Sequence, residues 1–180
     1  MLHGWENFFI AAATAGATLI GLLFVAITLG VGLSTPHGLD ATRAFLTPTL
    51  IRFNGVLFVS LDMLPPWPSA LPAGIILGLF GLTGLLYQIQ ASLNQRKVDF
   101  VSLDWLDWTL FSVAPVLGNA SLIAGAAGLI AQKPFAPYAI AGATALLLLA
   151  GIFGAWHLTL WIAKSRDQDL AMGMLFANLR

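Results

Sequence analysis

The sequence predicts an all-α fold, a polytopic membrane bundle of five transmembrane helices, and three observations point to it. Of its 180 residues, 58% are hydrophobic and only 9% are charged, whereas a soluble domain carries about 25% charged residues. The apolar residues fall into long runs, each near the ~20 residues that cross a hydrocarbon core of roughly 30 Å. Proline-rich and polar connectors between those runs are short, which leaves no stretch for a soluble domain. The mean hydropathy of +0.87 agrees with this reading.

The same composition excludes several functions. Eight basic residues balance eight acidic ones, and they are too scattered for a phosphate-tracking surface, so no nucleic-acid partner is expected. With no cysteine there is no thiolate metal site and no thiol nucleophile. No G-x-S-x-G, glycine-rich phosphate loop or H-E-x-x-H occurs, and the histidines are spread over His3, His37 and His157. His3 and Glu6 could supply half a metal site, but two ligands do not make one. The chain reads as no enzyme, with no catalytic residue, no metal and no cofactor.

The first span covers about 7–33. Residues 1–6 carry no Lys or Arg, so a cleaved signal peptide fits poorly and this helix is expected to be retained. Ala11, Thr14, Thr18, Gly21, Val25, Thr28 and Gly32 recur at steps of three and four, a small and weakly polar stripe that suits a close helix seam or a pore wall.

The connector 34–42 holds Pro36, Gly38 and a candidate N-cap, Asp40. The second span, 43–62, has Pro48 inside it and Arg52 near its middle. Such a charge costs about 2.5–3.5 kcal/mol on insertion scales and normally faces protein or water, so this helix is expected at the centre of the bundle. Arg43, Thr47 and Asn54 share one side, with Arg52 on the opposite side.

The third span, 72–93, carries Gly74, Gly78, Gly81 and Gly84 as a thin backbone face, with Gln88 and Gln90 near the headgroups. The loop 94–108 looks like an amphipathic step with Trp105 and Trp108 at the interface. The fourth span, 109–131, places Pro115 as a second kink, Gly118, Ser121, Gly125 and Gly128 as a seam, and Asn119 near its centre. The fifth runs over 137–163 and closes with Trp156, His157 and Trp161. His157 there suits an interfacial hydrogen bond or a proton transfer. The domain division is therefore a transmembrane domain over 1–163 and a cytoplasmic amphipathic tail over 164–180, expected as a short helix on the membrane surface or docked on a neighbouring subunit.

Orientation follows from the basic residues. Lys133 alone lies on the N-terminal side, against Arg43, Arg96, Lys97, Lys164, Arg166 and Arg180 on the other. The N-terminus is expected outside and the C-terminus in the cytoplasm of a cell whose inner membrane holds the protein.

Counting inward places Gly21, Arg52, Asn54, Gly81, Thr83, Asn119 and Gly151 at similar depth, with no carboxylate among them. A guanidinium there needs acceptors. They could be carbonyls freed at the proline kinks or the Asn119 amide, a group on another subunit, or a solute anion. Arg52, Asn54, Asn119, Thr47 and Thr28 are the pore or solute-binding candidates. Gly21, Gly74, Gly78, Gly81, Gly118 and Gly125 are the helix-packing candidates. The leading function is a homo-oligomeric channel or passive transporter for a small ion or solute, anions included. The alternative is an accessory or regulatory subunit that binds another membrane protein, such as a protease or transport complex.

The opening Trp-x-x-Phe-Phe, a run of small residues and Gly-Leu-x-Phe-Val-Ala are carried by Trp5, Phe8, Phe9, Gly21, Leu22, Phe24, Val25 and Ala26, with Arg43 and Ala44 opening the second helix. Over this first third the chain resembles a family of small bacterial membrane proteins often labelled modulators of the FtsH protease. The resemblance implies a small membrane bundle. Phe45 and Leu46 stand where that pattern leads one to expect an acidic or polar residue.

Overall fold

The structure, a computed structural model, describes residues 4–30, 36–95 and 113–178, with side chains over 4–28, 46–90 and 113–160. Five helices make up the described residues: α1 (Glu6–Gly30), α2 (Pro36–Asp62), α3 (Ala70–Gln95), α4 (Ala114–Ile130) and α5 (Ala136–Asn178).

The helices form on the long apolar runs, and α2 and α4 end for identifiable reasons. In α1 the threonines, weak helix formers, donate their hydroxyls back to carbonyls one turn earlier, Thr14 to Ile10 at 2.8 Å and Thr18 to Thr14 at 2.8 Å. Helix α2 begins at Pro36 rather than at an Asp40 cap, because a proline at the first helical position has φ already set and lacks an N–H that would go unused. It ends at Leu64-Pro65-Pro66, where the Trp67 indole donates to the Asp62 carbonyl at 2.8 Å and fixes the turn. Helix α4 closes with Gln132 at φ +53°, its N–H on the Leu129 carbonyl and the Lys133 N–H on the Gly128 carbonyl. That is a Schellman closure with glutamine in the place glycine usually fills.

Stretches of α1 (Glu6–Thr28), α3 (Ala70–Gln90) and α5 (Ala136–Leu160) are long and apolar enough to cross a membrane. Among the described residues the fold is all-helical with three such helices, and two of the five expected spans do not reach the same standard. Helix α4 is apolar but has 17 described residues, about 26 Å. Helix α2 has 27 residues and carries Asp40, Arg43, Arg52 and Asp62.

The helices pack in the order α3, α4, α5, α2, α1, with α1 also against α5 and α2 touching α3 only lightly. Helices α5 and α2 share the centre of the bundle: α5 packs on α4, α2 and α1, and α2 on α5, α1 and, more lightly, α3. Only 17% of the α1 span and 22% of the α3 span are buried, against 44% in α5. Glycines set these contacts. A Cβ on Gly74 or Gly81 would stand 2.5 Å or 3.0 Å from Ile130 or Ile123 of α4. One on Gly118 or Gly125 would stand 3.2 Å from Leu147 or 2.7 Å from Ile140 of α5. Gly78 makes an ordinary contact with Ala126. Gly21 meets nothing within 4 Å, so it packs no seam inside the chain. The other five packing glycines serve seams within the chain.

One end of the bundle gathers Trp5, Phe8, Trp67 and Ala136 around a core of Phe9, Met63, Leu77 and Leu129. Trp5 meets Tyr138 edge-on at 4.9 Å, the aromatic belt of a membrane interface. At the other end α5 continues as one helix through Ala163 to Asn178, so the tail expected over 164–180 prolongs the fifth helix. No proline interrupts that stretch. The side chains of the tail, the loop bearing Trp105 and Trp108, His3 and the side chain of Arg43 lie outside the described residues.

Candidate functional site

Where α2 and α3 part, a cavity of about 30 Å³ remains. Pro48, Arg52 and Gly55 bound it from α2, Gly84, Tyr87 and Gln88 from α3, and Pro115 and Asn119 from α4. Phe80, also in its wall, stacks on the exposed Phe58 of α2 at 4.6 Å.

Arg52 is buried, 3% exposed. Its Nη1 donates to the Ala150 carbonyl of α5 at 3.2 Å. Of the acceptors open to it from sequence, the structure therefore supplies a backbone carbonyl, but one from the middle of α5 rather than from a proline kink. The approach is possible because of two glycines one turn apart. A Cβ on Gly154 would collide with Thr49 Oγ1, and a Cβ on Gly151 would lie 2.5 Å from the ring of Phe53. Without those side chains α2 settles into α5, and the guanidinium reaches the helix backbone.

Asn119 faces Arg52 across the cavity from α4. Its Nδ2 donates to the Pro115 carbonyl at 2.8 Å. Its Oδ1 rests where a side chain on Gly84 would stand. Pro115 stands next to the first residue of the described α4, and the residues that precede Val113 lie outside the described ones.

The sequence candidates divide. Arg52 and Asn119 are buried and share the cavity. Asn54, Thr47 and Thr28 are exposed on the outer surface of the bundle, and Thr28 donates to the Val25 carbonyl at 2.8 Å. Thr83, also exposed, donates to the Phe80 carbonyl at 2.9 Å. His157 packs edge-on against Phe153 at 4.9 Å, away from the cavity. Gln88 and Tyr87 were missed as site residues. Gln88 is 4% exposed, and its signal was present: it is the next member of the stripe Gly74, Gly78, Gly81, Gly84 at helical spacing, so it shares the face that meets α4.

Electrostatically the site is one-signed. Among the described side chains Arg52 is the one buried cation, and no carboxylate lines the cavity. Asp62 lies ten residues further along α2, about 15 Å away. The site is a positive centre surrounded by neutral amides, a phenol and apolar walls. Comparison with protein-family models, with curated proteins and with solved structures finds no match for this chain.

Proposed function

We propose that the protein is a five-span inner-membrane protein that passes a small anion by way of the Arg52 cavity. The observation that carries this reading is the meeting of Arg52, Gln88 and Asn119 on one cavity with no carboxylate in its wall. A unit charge acts over ~4 Å with roughly 4 kcal/mol at an effective dielectric of 20, enough to gather an anion and weak enough to release it. Amide N–H groups of Gln88 and Asn119 replace part of the anion's hydration. A volume of about 30 Å³ is that of one or two waters, which suits a monatomic or small polyatomic anion moving singly.

In this reading α2 and α4 also span, because each lies along helices that are apolar enough to do so. The N-terminus is outside, by the basic residues, and the chain belongs with the small membrane proteins that its first third resembles.

The test is anion efflux from liposomes holding wild type, Arg52→Gln and Arg52→Leu. Wild type should pass anions in preference to cations. Arg52→Gln, which keeps donors and removes the charge, should fold and lose that preference. Wild-type flux equal to empty liposomes at several voltages and with several ions would sink the reading and put the accessory-subunit function ahead.

A further inference from the structure

The outward side of α2 carries Thr47, Ile51, Asn54, Phe58 and Leu61, all exposed. Their steps alternate between four and three, the spacing of a seam between two helices crossing at about 20°. Asn54 occupies the middle of it.

Its depth is fixed by its neighbours. A Cβ on Gly16 would lie 3.3 Å from the carbonyl of Phe53, and one on Gly55 would lie 3.5 Å from the ring of Phe80. Gly16 and Phe80 both stand close to the middle of apolar spans, Glu6–Thr28 and Ala70–Gln90. Asn54 therefore lies near the centre of the hydrocarbon layer, where no water is at hand and an unbonded amide is costly. Exposed threonines on α1 avoid that cost by bonding back to their own helix. The Asn54 carboxamide has no hydrogen-bond partner among the described residues.

We infer that this face of α2 is the contact between two copies of the chain, parallel and related by a two-fold axis along the membrane normal, with Asn54 bonded to the partner's Asn54. A carboxamide carries both donor and acceptor and so complements itself. A two-fold axis brings a residue on that axis against its own copy, and two copies inserted with one orientation necessarily run parallel. Lipid headgroups cannot reach this depth, and the rest of the seam is apolar apart from Thr47. Ile51 belongs both to the seam and to the cavity wall, so the second copy flanks the cavity without entering it. The inference stands on Asn54 and is independent of what the cavity carries.

The chain's lack of cysteine makes the test direct. Single cysteines at Ile51 and Leu61 should form disulfide-linked dimers in membranes. Cysteines at Leu82 of α3 and Leu149 of α5, equally exposed but off the seam, should not. Energy transfer between labelled copies diluted in liposomes should show dimers for wild type and for Asn54→Gln. Asn54→Leu, which suits the bilayer and keeps the fold, should weaken association roughly 3- to 30-fold. Monomers at every lipid ratio, cross-linking equally strong from Leu82→Cys, or association unchanged in Asn54→Leu would each overturn the inference.

Discussion

At the scale of single residues, the unusual pairing is Asn119 with Gly84. The amide oxygen sits where the side chain of any other residue at position 84 would have to be, so the two positions form one unit. Gly84→Ala should force Asn119 out of its bond to the Pro115 carbonyl and destabilise the protein by about 1–2 kcal/mol. In an Asn119→Ala background the same change should cost almost nothing. A double-mutant cycle followed by thermal denaturation in detergent measures this, and additive effects would show that the two residues do not act as a unit. Arg52 could be singled out from sequence because a charge in the middle of an apolar run has no other explanation. Its acceptor could not, since any helix carbonyl has a second lone pair and nothing in a sequence says which one a neighbouring helix will uncover.

At the scale of elements, glycine positions decide which helices meet. The stripes in α3 and α4 were legible as packing faces because their spacing is helical and their residues lack bulk. Which helix each would meet was not legible, because a glycine face accepts any neighbour. Gly151 was placed only by depth, yet it seats Phe53, which is fully buried. Gly151→Ala should cost about 1–3 kcal/mol by overpacking. Gly21→Ala has open space around it and should be neutral or stabilising by up to about 1 kcal/mol, since alanine is the better helix former. Thermal midpoints of the two variants, compared with wild type, distinguish them. Equal destabilisation would mean that α2 does not rest on α5 as described. The first helix shows the opposite lesson. Its stripe of small residues and threonines, read as a seam or a pore wall, faces outward from Ala11 to Thr28, and Thr14, Thr18 and Thr28 each bond their hydroxyl within the helix.

At the scale of the whole molecule, the five helices of the described residues were readable from apolar run lengths, while the order in which they pack was not. That order depends on contacts between segments far apart in sequence. In the proposed five-span arrangement six basic residues lie on one side and one on the other, which puts the N-terminus outside. A single cysteine at Trp67, in the α2–α3 turn, should react with an impermeant reagent applied outside intact cells. One at Ser165 should react only after permeabilisation. Labelling of position 165 in intact cells would reverse the topology.

The bond from Arg52 to Ala150 joins residues 98 positions apart, and this separation bears on biogenesis. A ribosome adding about 5–20 residues per second delivers the acceptor roughly 5–20 s after the charge has left the exit tunnel. Through that interval α2 has neither its carbonyl nor its glycine groove, and α1 and then α3 and α4 are the neighbours available to it. The insertion machinery or a chaperone in the membrane must then shelter the guanidinium until the last helix arrives. Chains truncated before α5 should consequently be the ones that quality-control proteases remove.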